Sequence, residues 1–309
     1  MWTPLHERAA QQGGVLLACQ ATELGYSWDA LHRVVQAEGW QRLLHGGYLM
    51  RGHADTPLAR ARAVQLRWPW LIASHELAAF IHGWAIVGFP ELGFTPVVKS
   101  RRSVPGGRLY RWLLTTSDIV VVDGIRVTSP IRTATDLLRR RARDAAVIGV
   151  DSALRKGGLT LDAIAGRLEK LAGEPGIRNA WKALPTLDPK SGSPTESKTR
   201  LIMWDRKVYP QSQVPLRGAD GGIYYADLVA EGVVFEPEGF AYHGNEDAHE
   251  SDVRRFNALA LAARTSGYDF CRITFKDAFT HSTRTGDLIV NTILARRRRL
   301  GRSGPPIGT

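Results

Sequence analysis

Residues 224 to 244 read YYADLVAEGVVFEPEGFAYHG and place acidic side chains inside two short apolar runs. A Glu-Gly turn separates the runs, which is typical of two paired strands. Asp227 interrupts the first run and Glu236 interrupts the second. Pairing about the turn puts these two acids almost opposite each other. Facing carboxylates repel unless a cation lies between them, so this stretch limits both the fold and the chemistry of the chain.

A hard divalent ion would hold such a pair of acids together. Mg²⁺ prefers one or two carboxylates with waters and phosphate oxygens. The pattern therefore predicts a site for Mg²⁺ (or Mn²⁺) made of Asp227, Glu236 and the backbone carbonyl of Pro237. Strand acids can also be solvated or paired with arginine, so the spacing alone leaves both interpretations open. The arginines available for such pairing are Arg254, Arg255 and Arg272.

The charge balance of the 309 residues indicates an anionic partner. Lys and Arg number 41 against 30 Asp and Glu, which gives a net charge of +11 and a pI near 10.0. Proteins this basic often bind nucleic acid, although a basic surface without a polyanion partner is the alternative. Two cysteines, Cys19 and Cys271, exclude a disulfide framework and a cysteine-based zinc site. With no signal peptide or long apolar run, we expect a cytoplasmic protein, nucleoid-associated when bound to DNA, and no membrane partner.

The first 53 residues predict a winged helix-turn-helix domain. Three helices are expected, the second over VLLACQATEL and the third over WDALHRVVQAE, which Ser27 caps. Two short strands follow around His45-Gly46-Gly47. The third helix of this arrangement enters the major groove. A small bundle that packs on its neighbour or binds protein is the alternative.

The periodicity of the third helix separates an inward face from an outward face. Leu31, Val34 and Val35 share the face that we expect to be buried. The outward residues that we predict to contact DNA are His32, Arg33 and Gln36.

Two further regions follow the first domain. Residues 54–186 mix helices and strands, and LDPKSGSP then marks a boundary rich in Pro, Gly and Ser. Residues 187–300 read as helix, three strands, helix, strand, helix, and the tail 301–309 is expected to be disordered. The predicted fold class is a multidomain α+β or α/β protein: a winged helix-turn-helix, a mixed α+β middle region and a C-terminal α/β core.

The order of polar residues in the C-terminal third carries a family resemblance. A helix Glu196, strand Asp227, the strand end Glu236-Pro237-Glu238-Gly239 and a following His243 stand in this order. The region from about 190 to 300 resembles the very-short-patch-repair (Vsr-like) relatives of the restriction-endonuclease-like, PD-(D/E)xK superfamily. Glu238 stands where that superfamily usually has lysine. Glu196 also completes a capping box with Ser193, so it has two interpretations.

The front of the chain resembles the AbiEi-type antitoxin family. The residues that carry this likeness are GGVLLACQATELGYSWDALHRVVQAEGWQRLLHGGYLM and, at the end of the middle region, GIRVTSPIRTATDLL. The resemblance implies sequence-specific binding of double-stranded DNA. A cognate toxin or a second copy of the chain is a further candidate partner.

Together the two resemblances imply a metal-dependent endodeoxyribonuclease acting in defence or DNA repair. Asp227 and Glu236 would hold Mg²⁺, which polarises the scissile phosphate and activates water. Glu238 would orient or deprotonate that water, and His243 would protonate the leaving oxygen or bind phosphate. The residues expected to neutralise the DNA backbone are Arg255, Arg272, Arg296, Arg297, Arg298 and Arg299.

Two other functions fit the same sequence. One is a non-catalytic AbiEi-type antitoxin or transcriptional regulator whose nuclease domain has decayed. The other is RNA binding or cleavage, because phosphate chemistry is shared between the two nucleic acids.

Overall fold

A computed structural model describes residues 3–98, 104–218, 220–238 and 246–307, with only the backbone described from 246 to 252. The chain is a mixed α/β protein whose contacts divide it into two compact units, Met1–Leu137 and Leu138–Thr309. Each unit contains helices packed on its own sheets.

The first fifty residues form three helices and a three-stranded sheet of order β1-β3-β2. Ser27 Oγ accepts a hydrogen bond from Ala30 N–H and caps the third helix, which ends at Gly39 in the left-handed conformation, as its sequence predicts. The elements are α1 (Pro4–Gln11), β1 (Val15–Leu17), α2 (Ala18–Glu23), α3 (Trp28–Glu38), β2 (Gln41–Leu44) and β3 (Gly47–Leu49).

The prediction of a helix over residues 15–24 is wrong at its start. Val15–Leu17 is a strand, in which Val15 pairs with Leu49 and Leu17 pairs with Gly47. All three of its residues are buried. A short, fully apolar run does not by itself distinguish a buried strand from a helix, and pairing with β3 decides the outcome here.

Helix α3 presents the faces that its periodicity predicts. Leu31 is buried, whereas Val34 and Val35 are partly buried against the same core. Arg33 and Gln36 are exposed. The helix therefore has a polar outer surface available to a partner.

A five-stranded sheet of order β6-β5-β4-β8-β7 forms the rest of the first unit. Strands β7 and β8 join through Asp123-Gly124, both at positive φ, as this dipeptide predicts for a tight hairpin. The elements are α4 (Pro57–Arg67), β4 (Leu71–Ala73), α5 (His75–Ile81), β5 (Gly93–Pro96), β6 (Arg108–Leu109), a 3-10 turn (Thr116–Asp118), β7 (Ile119–Val122), β8 (Ile125–Thr128) and α6 (Pro130–Arg140).

The front segment has a core of its own, which includes Leu5, Leu31 and Trp40, and it also contributes to a second core. Leu17 and Leu49 of the front segment pack in the same buried cluster as Leu71, Phe94 and Val127 of the five-stranded sheet. The sequence boundary at 53/54 therefore has a core of the front segment on one side and is also crossed by a shared core.

The second unit surrounds a four-stranded sheet of order β12-β11-β10-β9. Strands β9, β10 and β11 are an antiparallel meander, and β12 is parallel to β11 after a helical crossover. The elements are α7 (Arg143–Arg155), α8 (Leu161–Lys170), α9 (Ile177–Ala183), a 3-10 turn (Leu184–Thr186), α10 (Pro194–Asp205), β9 (Gln211–Arg217), β10 (Ile223–Ala230), β11 (Val233–Pro237), α11 (Glu246–Thr265), β12 (Asp269–Ile273), α12 (Phe275–Phe279) and α13 (Ser282–Arg299).

The two faces of this sheet bury different residues. Leu228 and Phe235 belong to a core with residues of α10 and α13, whereas Val229 and Val234 belong to a core with residues of α11. Because side chains alternate along a strand, acids in register with Val229 and Val234 lie on the α11 side. Asp227 has this register.

Helix α7 is joined to α10 by buried charges. Arg200 Nη2 lies 2.5 Å from Asp151 Oδ2, and both side chains are almost fully buried. Lys198 Nζ lies 2.5 Å from Asp144 Oδ2. Helix α7, which the sequence assigns to the middle region, is therefore part of the same compact unit as the C-terminal sheet.

The tail has contacts despite its expected disorder. Arg297 Nη1 donates a hydrogen bond to the carbonyl of Pro305 at 2.8 Å, and Ile307 packs against the core of the second unit. Across the chain as described, no helix has the length and apolarity needed to cross a membrane.

Candidate functional site

Three carboxylates from three elements come together in the second unit. Glu196 lies in the first turn of α10, Asp227 in β10 and Glu236 in β11. Asp227 is one residue beyond the Leu228–Phe235 pair of the ladder, and its N–H donates to Glu236 Oε2 at 3.3 Å. Glu196 and Asp227 are each only 7% exposed. The structure thus brings the two predicted metal-binding acids together and adds the helix glutamate to them.

Gln213 of β9 bridges two of these acids. Its Nε2 donates to Asp227 Oδ1 at 3.0 Å and contacts Glu196 Oε2 at 3.3 Å. Its φ is +54°, and the ladder between β9 and β10 omits a pair at this residue. The flanking pairs, Val214 with Ala226 and Ser212 with Leu228, set Gln213 opposite Asp227 in register. The positive φ is a local distortion of the backbone beside these acids.

Burial and mutual repulsion change the protonation of the cluster. Burial, followed by the charge of Asp227, raises the pKa of Glu196 to about 7. Burial, followed by the charge of Glu236, raises the pKa of Asp227 to about 7. Burial also raises the pKa of Glu236. A side-chain hydrogen bond joins Asp227 to Glu236, so Asp227 is the better placed of the two to carry a shared proton near neutral pH.

Glu196 caps its helix, which is one of the two interpretations that the sequence left open, and it also lies beside the other acids. Ser193 Oγ accepts from the N–H of Glu196 at 3.1 Å, which caps α10. Glu196 Oε2 accepts from the N–H of Gly192 at 2.7 Å, one residue before the position that an ordinary capping box uses. The same carboxylate reaches Gln213, so capping fixes it at the edge of the cluster.

Arg255 of α11 is the cation described beside these acids. Its Nη2 lies 3.6 Å from Glu236 Oε1, and its side chain is 62% exposed. At that distance and exposure the pair is weak, since ion pairs open to water contribute little. Arg255 can therefore also reach an anion outside the cluster.

Glu238, which we predicted to orient or deprotonate a water, is engaged by other groups of the protein. Its carboxylate forms an ion pair with Arg272 Nε, and its N–H donates to the carbonyl of Ile273 at 2.7 Å. The Arg272 guanidinium lies 4.3 Å from the centre of the Phe256 ring. These contacts arise because β12 is parallel to β11, which places Arg272 next to Glu236 and Glu238.

Two other predicted residues have simpler outcomes. Pro237 is buried and ends β11, as expected of a residue without an N–H for the ladder. His243 lies outside the described residues.

The basic run at the end of α13 is largely engaged within the unit. Arg296 and Arg299 pair with Asp269, at 3.2 and 2.6 Å, and Arg297 pairs with Glu231 at 3.0 Å. Arg298 is exposed. The phosphate-binding capacity of the run is therefore smaller than four free arginines would give.

An open cavity of about 500 Å³ adjoins the cluster along β9. Gln213 lines it together with Lys190, Arg200 and Trp204. Gln213 also contacts Asp227 and Glu196. Its side chain is therefore what lies between these acids and the open cavity.

The donor set suits a hard cation, although it is not a closed cage. Within the described parts of the chain, no three or more His, Cys, Asp or Glu side chains are arranged so that they could hold a metal ion. The Asp227–Glu236 pair supplies the one or two carboxylates that Mg²⁺ uses when waters and phosphate complete its shell. A cation bound by this pair would relieve the repulsion that helps to raise the pKa of Asp227, and it would require both carboxyl groups to be deprotonated.

In the first unit, α3 places the predicted DNA-binding residues at its surface. Arg33 and Gln36 are exposed, and Trp28 beside them is 51% exposed. His32 is half-buried, with Nε2 at 3.2 Å from the Tyr48 hydroxyl and its ring 4.4 Å from that of Trp28. His32 thus braces α3 against β3 more than it projects outward.

Comparison with known proteins identifies distant relatives. No family model matches the chain. A stretch of 108 residues is 32% identical to the uncharacterized protein Rv2248 of Mycobacterium tuberculosis strain H37Rv. The uncharacterized protein MT2308 of strain CDC 1551 / Oshkosh matches equally. The stretch is 35% of this chain and 40% of each relative, so the chain spans well under half the length of these relatives.

Proposed function

We propose that the chain is a DNA-binding, metal-dependent endonuclease that hydrolyses phosphodiester bonds. The observation that carries this proposal is the buried carboxylate cluster of Glu196, Asp227 and Glu236, whose members repel one another and have raised pKa values. Such a cluster is costly for folding, and perturbed acids in one place are typical of functional sites. Its order along the chain also matches the Vsr-like resemblance.

The residues of the cluster would divide the work as follows. Asp227 and Glu236 would hold Mg²⁺ or Mn²⁺, which when bound polarises the scissile phosphate and activates water. Glu196, with a pKa of about 7, is suited to accept or return a proton near neutral pH. Arg255, exposed beside Glu236, would bind a phosphate of the DNA backbone.

The front of the chain would supply DNA binding. The order helix, strand, helix, helix, strand, strand fits a winged helix-turn-helix, with α3 as the reading helix and β2–β3 as the wing. The net charge of +11 supports association with a polyanion. In this proposal sequence-specific binding and hydrolysis depend on different units, so a single substitution can separate them.

The decisive experiment is Asp227→Asn, assayed for cleavage of plasmid DNA with Mg²⁺ or Mn²⁺. Asn keeps the size of the side chain but removes the charge that would hold the ion, so cleavage should fall by at least about 100-fold. Duplex affinity, measured by fluorescence anisotropy, should stay within about twofold of the parent. Asp220→Asn, an exposed acid outside the cluster, is the matched control and should cleave normally. Cleavage by purified Asp227→Asn at the parent rate would refute the mechanism.

A non-catalytic regulator of the AbiEi type is the second candidate. The observation that favours it is the ion pair of Glu238 with Arg272, because an acid engaged by arginine stands where the superfamily usually has a free lysine. A regulator would show specific DNA binding but no metal-dependent cleavage by the parent protein. The plasmid assay of the parent protein separates these two functions. The same reaction with single-stranded RNA in place of plasmid tests RNA as the substrate.

A further inference from the structure

Gln213 is the polar side chain through which the strand β9 reaches the acids of two other elements. Its amide nitrogen lies 3.0 Å from Asp227 Oδ1 on β10 and 3.3 Å from Glu196 Oε2 on α10. An amide NH₂ has two protons, so one nitrogen can serve both carboxylates at once. Gln213 makes these contacts from a backbone at φ +54°.

The chemistry of an amide matters at this position. Lysine or arginine would also attract both acids, but would neutralise them and occupy the place of a cation. A glutamine donates hydrogen bonds without adding charge, so it holds two carboxylates close together and leaves their negative charge for a metal. A hydrophobic residue would leave the acids to repel each other.

We infer that Gln213 is a positioning residue that orients Asp227 for metal binding with Glu236 and holds Glu196 beside them. This inference rests on the proposed function of the cluster and adds a specific residue to it. Residues that orient metal ligands by hydrogen bonding commonly change metal affinity or activity by about 10–100-fold when replaced.

The test compares Gln213→Met with Gln211→Met in the full chain. Methionine matches glutamine in length but donates no hydrogen bond. Gln211 is exposed on the same strand two residues earlier and lines the same cavity, so its substitution controls for strand composition and for the cavity lining. Mn²⁺ affinity is measured by calorimetry without DNA, and kcat and KM are measured on plasmid DNA.

We expect Gln213→Met to weaken Mn²⁺ binding by about tenfold or more and to lower kcat, with KM for DNA within twofold of the parent. Gln211→Met should match the parent in Mn²⁺ affinity and in kcat. Gln213→Gly guards against a folding defect, because glycine adopts a positive φ readily and also lacks the amide. It should lose Mn²⁺ affinity to the same extent.

Several results would overturn the inference. One is an unchanged Mn²⁺ affinity in both Gln213 variants, and another is a parent protein that binds no Mn²⁺. A rise in KM alone would also overturn it, because Gln213 lines the cavity and would then be a substrate contact. If the parent binds Mn²⁺ but does not cleave, the proposed hydrolysis fails, and the affinities of the variants still decide the role of Gln213.

Discussion

At the scale of single residues, the acidic cluster is an electrostatic cost that should appear in the pH dependence of stability. Glu196 and Asp227 have pKa values of about 7, above their ordinary values of 4.5 and 3.8. A carboxyl group whose pKa rises on folding contributes stability that is complete below its unfolded pKa. That stability is lost as pH rises through the folded value. The metal-free protein should therefore become less stable between about pH 4 and pH 7.

We predict that Asp227→Asn flattens this dependence and raises the melting temperature at pH 8. Relief of about 1 kcal/mol of repulsion would raise Tm by about 2–4 °C in a protein of this size range. Thermal melts in chelator from pH 5.5 to 8 measure the effect. Asp151, whose pKa burial raises to about 6, contributes an equal background to both proteins. Parallel Tm curves for parent and variant would show that Asp227 does not titrate in this range.

The same residues show what local sequence can reveal about a site. The facing positions of Asp227 and Glu236 follow from alternation about the Glu-Gly turn, and both do come together. Gln213 was missed, because it meets Asp227 through the register of β9 against β10, which sets residues 213 and 227 opposite each other. Pairing of the strand acids with arginine was one of the two interpretations left open, but which arginine meets Glu238 depends on β12 lying parallel beside β11.

At the scale of elements, α3 is the best defined DNA-binding candidate. Arg33 and Gln36 are exposed on it, and neither packs in a core. We predict that Arg33→Ala with Gln36→Ala weakens binding to a specific duplex by about 1–3 kcal/mol per lost base contact, without lowering Tm. Competition against random duplex DNA in an anisotropy assay measures the loss of specificity.

A control on the same helix tests whether the effect is local. Ala37 is also exposed, and Ala37→Gln should leave affinity within about twofold of the parent. Equal binding of every duplex by the parent and the double variant would show that α3 does not read sequence.

Local sequence patterns predicted where helices begin better than they predicted the ion-pair partners of charged residues. The capped helices α3, α8 and α10 begin after Ser27, Thr160 and Ser193, because these caps are encoded within four residues. The residues expected to begin α2 form a strand instead, and its partner residues lie 30 to 34 positions further along the chain. The arginines of α13 looked free in sequence, yet their partners Asp269 and Glu231 are distant in the chain.

At the scale of the whole molecule, the boundary between the two compact units does not lie at the segment that the composition marks as a linker. The Pro-, Gly- and Ser-rich segment near 190 marks a sequence boundary, whereas the contacts divide the chain within α6, between Leu137 and Leu138. The reason is a set of charged contacts between α7 and α10, with Asp151–Arg200 at its centre. These contacts cross the linker and could not be inferred from composition.

This arrangement predicts which fragment of the chain can fold alone. A fragment of residues 138–309 keeps Asp151, whereas a fragment of residues 187–309 removes both Asp151 and the Thr186 carbonyl to which Arg200 donates. Arg200 would keep Asp188 at 3.6 Å, but a buried charge that loses its main partner costs about 3–5 kcal/mol. That is a large share of the roughly 5–15 kcal/mol that stabilises a typical domain.

We expect fragment 138–309 to unfold cooperatively in urea and fragment 187–309 to lack a cooperative transition. Asp151→Ala within the longer fragment should reproduce part of the loss. Equal urea midpoints for the two fragments would mean that α7 contributes nothing to the C-terminal sheet.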